Sequence, residues 1–258
     1  MAEQAVQPDI IVEVKGIAKT FEGGVEALRD VNLSVPRGKL TTLLGPSGCG
    51  KTTLLKIIAG LLAKSGGEVY INGKQVHGPG RERAFVFQDF ALLPWASVLR
   101  NVSFGLELQK VEKEKRYEIA RKYIREVGLD GFEDALPHEL SGGMRQRVGL
   151  ARALTVDSEI LLMDEPFASV DEQTRRKLQD DLLDLLQIEK KTVLFVTHSI
   201  EEAVYVSDQV ALLGPRPGSI MRVIDTSLSE AGSGEELRRD KRYLDTVEEL
   251  WQVLKQYL

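Results

Sequence analysis

The chain has 258 residues, 43% of them hydrophobic and 28% charged, with a formal net charge of −5. That length buries a substantial core, either as one large α/β domain with subdomains or as two small domains. The acidic balance argues against a general nucleic-acid binder, which needs a strongly basic surface, and the single cysteine, Cys49, excludes an intrachain disulfide and a cysteine-rich metal site.

Met1 to Asp9 is polar and lacks the apolar core of a signal peptide. No uninterrupted apolar run approaches the length of a bilayer span. The expectation is a soluble cytoplasmic chain that other chains must hold at any membrane where it acts.

Ile10–Ile17, Ala27–Val35 and Leu40–Leu44 are apolar-rich runs with breaks at Gly23-Gly24 and Pro36-Arg37-Gly38, and they read as strands. The third runs into Gly45-Pro46-Ser47-Gly48-Cys49-Gly50-Lys51-Thr52, the pattern Gly-x4-Gly-Lys-Thr. Glycines there let successive backbone N–H groups turn inward on one anion. Lys51 supplies a point charge for the outer phosphates and Thr52 a hydroxyl for Mg²⁺. Thr53–Ala59 reads as the helix that leaves the loop, its positive dipole end facing the phosphates. A strand, this loop and a helix together predict nucleoside triphosphate binding.

Further along, Glu68–Ile71 precedes Asn72-Gly73, a strong hairpin signal, and Arg83–Gln88 reads as another buried strand. From Ser97 to Thr155 the pattern is helical, with a charged amphipathic stretch at Glu112–Val127. Inside it, Leu140-Ser141-Gly142-Gly143-Met144-Arg145-Gln146-Arg147 opens a helix that runs to about Leu154. Ser141 is a good N-cap and the two glycines expose backbone N–H groups at the helix's positive end, which makes a second anion cradle.

Strand character resumes at Ile160–Met163, which ends in Asp164-Glu165-Pro166, and again at Thr192–Thr197 and Gln209–Leu213. Helices over Asp171–Ile188 and Ser199–Val206 separate these strands. The alternation implies a parallel sheet covered on both faces, whose C-terminal edge faces a ligand crevice. Asp164 would hold Mg²⁺ there, and Glu165 would polarise an attacking water as general base. The basic clusters Arg145/Arg147, Arg175-Arg176-Lys177 and Arg238–Arg242 read as solvated helix faces. Gly232–Leu258 is charged and helical, with Leu244, Val247, Leu250/Trp251 and Leu254 on one stripe that either docks a regulator or packs on its own domain.

Leu-Ser-Gly-Gly followed by a basic helix is the signature of ATP-binding-cassette ATPases, and over about residues 10–225 the sequence resembles that family. The phosphate loop, Gln88 at a strand end, the signature at 140–147, Asp164-Glu165, Ser169-Val170-Asp171 and His198 follow one another in family order. The resemblance implies an α/β P-loop NTPase with a RecA-like parallel-sheet core, an N-terminal antiparallel β subdomain and an inserted helical subdomain at about 89–157. The cassette would occupy 10–227, followed by a C-terminal helical extension over 228–258.

Site residues carry over as implied by the resemblance. Phe21 sits where the family stacks an aromatic on adenine; many members have Tyr there, and a core role for Phe21 stays open. The nucleotide would rest on Gly45, Pro46, Ser47, Gly48, Cys49, Gly50, Lys51, Thr52 and Thr53, with Thr52, Gln88 and Asp164 toward Mg²⁺. Catalysis would use Glu165, His198 at the γ-phosphate, and Gln88, which would also report occupancy to a membrane partner. Ser141, Gly142 and Gly143 of a second copy would close each ATP, and Asp171 would lie across that interface. The family usually has Ala-Leu-Asp or Gly-Leu-Asp where this chain has Ser-Val-Asp.

Phe90–Trp95, Asn101–Glu107 and Pro215-Arg216-Pro217-Gly218 look like the nitrate/sulfonate/taurine importer ATPases. The implied partners are a second copy in a head-to-tail ATP sandwich, transmembrane permease subunits and, indirectly, a solute-binding protein, with no nucleic acid. The implied place is the cytoplasmic face of the inner membrane. In the family, the Leu92, Leu93 and Trp95 region forms the groove where a permease helix docks; ordinary core packing of these residues is the alternative. An ATPase of a soluble machine or an exporter-type complex is the competing function.

Overall fold

The computed structural model describes residues 9–168, 170–227 and 234–256. They form two compact units, one made of residues up to Pro79 together with Thr192 onward, the other of Gly80–Lys191.

The first unit opens with β1 (Ile10–Thr20) and β2 (Glu26–Pro36), antiparallel to each other, with Val12 opposite Val35 and Val14 opposite Leu33. Val31, Leu33 and Val35 are buried while Asn32 and Ser34 face solvent, the period-two pattern of a sheet with one wet face. β4 (Gly66–Ile71) pairs antiparallel with β1, and β5 (Lys74–Gln75) follows it through Asn72-Gly73. Asn72 and Gly73 have φ of 50° and 71°, as a type I′ hairpin turn demands at both central positions.

The other sheet of this unit runs β10 (Ile220–Asp225), β9 (Gln209–Leu213), β3 (Leu40–Leu44), β8 (Thr192–Thr197). β9, β3 and β8 are parallel, and β10 adds antiparallel to β9. Every residue of β3 and β8 is buried. The polar ones are satisfied: Thr42 Oγ1 and Ser207 Oγ share a hydrogen bond at 2.5 Å, and Gln209 Nε2 donates to Thr41 Oγ1 at 2.8 Å. α1 (Lys51–Ile58) and α6 (Ile200–Val206) pack on this sheet.

α7 (Gly234–Arg239) and α8 (Lys241–Lys255) belong to the same unit, and α8 packs on α6. Tyr243, Leu250 and Leu254 are the buried residues of α8, and Tyr243 Oη donates to the Glu201 carbonyl at 3.1 Å. The expected stripe is therefore rotated: Leu244 and Trp251 lie exposed. Among the two alternatives for this segment, packing on its own domain is what the helix does.

The second unit holds β6 (Arg83–Val86) and β7 (Ile160–Asp164), which are parallel, with α2 (Val98–Leu108), α3 (Lys113–Glu126), α4 (Gly142–Thr155) and α5 (Glu172–Glu189). This unit, Gly80–Lys191, holds the helices of the 89–157 region together with both strands and α5. β6 ends at Val86 instead of Gln88, since the chain turns at once toward a left-handed pair at Phe90 and Ala91. Among the described residues no helix is long and apolar enough to cross a membrane.

Candidate active site

In the first unit, β3 and β8 run parallel with Leu44 opposite Thr197. The phosphate loop after Leu44 and His198 after Thr197 therefore leave the sheet at the same C-terminal edge, where open parallel sheets bind ligands. Gly48 and Gly50 have φ of 76° and 109°, a left-handed conformation that L side chains resist. Close packing adds to this at Gly50, where a Cβ would stand 2.6 Å from Leu28 Cδ2, and at Gly45, where it would stand 2.6 Å from the Leu213 carbonyl oxygen.

Lys51 opens α1 and is 4% exposed, with its Nζ donating to the Gly45 and Pro46 carbonyls at 2.7 and 3.0 Å. The ammonium thus lies along the loop and is held by neutral carbonyl acceptors. Cys49 is buried beside it; burial pushes its thiol pKa up, and the Lys51 charge pulls it down by less. Thr52 and Thr53 follow on the first turn of α1, partly exposed.

His198 is exposed at the turn after β8. Thr197 fixes that turn: its Oγ1 donates to the buried Glu202 carboxylate and accepts from the Ser199 N–H at 3.1 Å. Phe21 follows β1 and is 40% exposed, so it is not a core residue, and Lys19 Nζ sits 5.0 Å from its ring centroid. One ring face thus carries a cation while much of the side chain stays open.

In the second unit, Val86 stands opposite Met163 in the β6–β7 pair. The Gln88 turn and Asp164-Glu165 therefore leave a common edge as well. Asp164 is 4% exposed; Glu165 is partly exposed and takes a left-handed φ of 43°, a strained conformation for a non-glycine residue right after a strand. Gln88 is exposed. Ser141 caps α4, its Oγ accepting from the Met144 N–H at 3.3 Å, and Asp171 caps α5, its Oδ1 accepting from the Thr174 N–H at 3.0 Å. These two helix starts are neighbours: a Cβ on Gly143 would stand 3.1 Å from Thr174 Cγ2. Ser169 lies outside the described residues.

Two residues matter here for reasons the sequence does not advertise. Arg152, near the end of α4, forks onto the Phe90 and Ala91 carbonyls just after Gln88. Asn101, fully buried on α2, accepts from the Leu93 N–H at 2.8 Å and donates to the Ala96 carbonyl at 2.8 Å. It locks the loop between them and leaves Trp95 74% exposed. A polar residue at a helical spacing that reads as buried was the one available signal for Asn101; nothing in the sequence marks Arg152.

The loop fits a polyphosphate, because Gly45 and Gly50 leave no room for a Cβ, Gly48 takes a left-handed φ, and a helix N-terminus and a buried lysine converge on it. For a metal, the described residues contain no cluster of three or more His, Cys, Asp or Glu. Within the first unit the loop offers the Thr52 hydroxyl, a hard oxygen donor of the kind Mg²⁺ takes together with phosphate oxygens and water.

The family description "ABC transporter" matches residues 28–168. An uncharacterised ABC transporter ATP-binding protein of Methanocaldococcus jannaschii is 51% identical over 250 residues, covering 95% of this chain and 93% of that protein. A taurine import ATP-binding protein of Escherichia coli is 50% identical over 199 residues, covering 77% of this chain and 78% of that protein. Among solved structures, a dimeric ATP-binding cassette in a post-hydrolysis state with ADP and Pi superposes with a TM-score of 0.75 at 32% identity, over 84% of this chain and 99% of that one. An ABC transporter component from Clostridium perfringens superposes with a TM-score of 0.78 at 25% identity, over 95% of this chain and 99% of its own.

Proposed function

The chain belongs to the ABC transporter family as one of its ATP-binding subunits, and we propose that it energises a membrane importer of a small solute such as nitrate, a sulfonate or taurine. Its enzymatic activity is that of the family, ATP hydrolysis. The taurine import protein of Escherichia coli, half identical to this chain over three quarters of its length, supports the solute class.

The observation that carries the membrane part of the reading is Trp95. The Trp95 indole is 74% exposed among the described residues, on a loop that Asn101 holds through its backbone. Trp, Tyr and Arg are enriched among the side chains that anchor partner contacts. In this reading a permease helix covers the indole, the chain works at the cytoplasmic face of the membrane, and a solute-binding protein acts on the far side.

Within the site, the phosphate loop and Lys51 bind the nucleotide's phosphates, and the exposed Phe21 ring stacks on adenine. Thr52, Gln88 and Asp164 would hold Mg²⁺, which neutralises phosphate charge when bound. Glu165 accepts the proton of the attacking water on its carboxylate, while His198 and Gln88 orient that water. Ser141, Gly142 and Gly143 of a second copy complete each site, and Asp171 lines the contact. Hydrolysis then releases a dimer that ATP had closed.

Affinity capture of tagged chain from detergent-solubilised membranes tests this. A polytopic membrane protein recovered in equal amount is expected, with genetic neighbours that identify the solute. Recovery of soluble proteins alone removes the transport assignment and leaves an ATPase of a soluble machine.

A further inference from the structure

The loop joining β9 to β10, Gly214-Pro215-Arg216-Pro217-Gly218-Ser219, lies directly against the phosphate loop. Arg216 Nε and Nη2 both donate to the Gly48 carbonyl, at 3.3 and 3.2 Å. Gly218 comes so near that a Cβ on it would stand 2.1 Å from the Cys49 carbonyl oxygen. The same glycine is stitched to β2, its N–H donating to the Ala27 carbonyl at 2.9 Å and its carbonyl accepting from the Arg29 N–H at 3.0 Å. A Cβ on Gly50 would in turn stand 3.0 Å from the Ala27 carbonyl oxygen. The phosphate loop is thus braced through its own backbone by two neighbouring segments.

We propose that Arg216 is a positioning residue for phosphate binding, which fixes the Gly48–Cys49 peptide so that the loop meets a polyphosphate already in shape. A peptide unit is planar, so holding its two ends fixes the orientation of the whole group. Here the carbonyl end is held by Arg216, and the N–H end donates to the Pro46 carbonyl at 3.3 Å. Gly48 needs such a hold more than any other residue type would, because glycine at φ 76° has the widest choice of other conformations. Preorganising the loop spares the nucleotide the ordering cost at binding. The guanidinium charge also polarises the peptide it holds and adds positive potential beside the loop.

Arg216 is exposed and its brace is a surface contact, so water replaces it when it is removed. The effect is therefore modest, and it falls on the phosphates without touching adenine recognition. The inference rests on the loop being the phosphate site, and Lys51→Ala tests that premise separately.

The experiment is calorimetric binding of MgATP and of inorganic tripolyphosphate to the full chain, compared with Arg216→Ala, Arg216→Lys and Lys51→Ala. Arg216→Ala is expected to weaken both ligands by about 3- to 10-fold, the range of one hydrogen-bonded contact, with Arg216→Lys in between. The thermal midpoint without ligand stays within about 2 °C, as for other surface changes. Unchanged affinity for MgATP in Arg216→Ala overturns the proposal, as does a loss for MgATP with none for tripolyphosphate. Parent-like binding by Lys51→Ala overturns the phosphate-site premise itself. Loss in Lys51→Ala with none in Arg216→Ala overturns the brace alone.

Discussion

Arg152 holds Phe90 by its carbonyl: Nη2 donates to it at 2.5 Å, while Nη1 reaches the Ala91 carbonyl at 2.8 Å. Phe90 and Ala91 both lie in the left-handed region, with φ of 62° and 41°. Two successive non-glycine residues there cost about 1–2 kcal/mol each, and a forked guanidinium is the group that offsets it, because its planar donors meet two carbonyls at once. Helix α4 thus carries the Ser141 cap at its start and the clamp on the Gln88 turn near its end. Arg152→Ala is expected to destabilise the chain by about 2 kcal/mol, read as a lower denaturation midpoint in urea. Arg152→Lys should recover less than half of that, having no fork. A shift below about 0.5 kcal/mol, the level of an ordinary surface change, would remove the clamp from the account.

Glu165, proposed above as the general base, follows the buried Asp164 and turns through a left-handed φ of 43°. Glu165→Gln keeps the shape and hydrogen-bonding reach but cannot accept a proton. It is expected to bind MgATP with parent affinity while turnover falls by about 100-fold or more, and to accumulate a dimer on size exclusion with ATP. Turnover within a few-fold of the parent would take the role of base away from Glu165.

Asp171 illustrates a pH dependence whose sign is fixed by its hydrogen bonds. The Thr174 N–H and hydroxyl hold its carboxylate below the ordinary range. A carboxyl depressed in the folded state stabilises the fold at every pH above its unfolded value and loses that contribution as pH falls through the folded one. Asp171→Asn keeps a cap without the charge. Its thermal midpoint should match the parent's in acid below the ordinary carboxylate range and fall beneath it near neutrality, with Asp171→Ala lower still. A constant difference between parent and Asp171→Asn across pH would show that the charge contributes nothing.

The parts of this structure legible in the sequence are those where one residue type is the only physical solution. Asn72-Gly73 announces a turn with two positive φ angles, Ser141 and Asp171 announce helix starts, and the glycines of 45–50 announce a backbone that no side chain would permit. What was not legible depends on tertiary partners. β10 mixes apolar and charged residues on both faces and becomes a strand only because β9 presents an edge. The face that α8 buries is set by its fit to α6, so Tyr243 goes inside while Leu244 and Trp251 stay out. Arg152 reads as one more charge on a basic helix until the carbonyls of Phe90 and Ala91 are seen.

Trp95 separates partner binding from fold and from nucleotide chemistry. Its side chain buries little within the chain, and the loop beneath it is held by Asn101 through groups that Trp95 does not supply. Trp95→Ala should therefore shift stability by no more than about 0.5 kcal/mol and leave MgATP affinity unchanged. A central aromatic anchor is worth about 2 kcal/mol or more at an interface. Solute uptake in cells carrying the variant should accordingly fall at least tenfold, and co-purification with the membrane subunit should weaken in step. Asn101→Ala is the contrasting change: it frees the loop as well as emptying a buried polar position, so it should lose stability along with uptake. If Trp95→Ala cells took up solute at the parent rate, Trp95 would be an idle surface aromatic and the docking surface would have to be sought elsewhere on the chain.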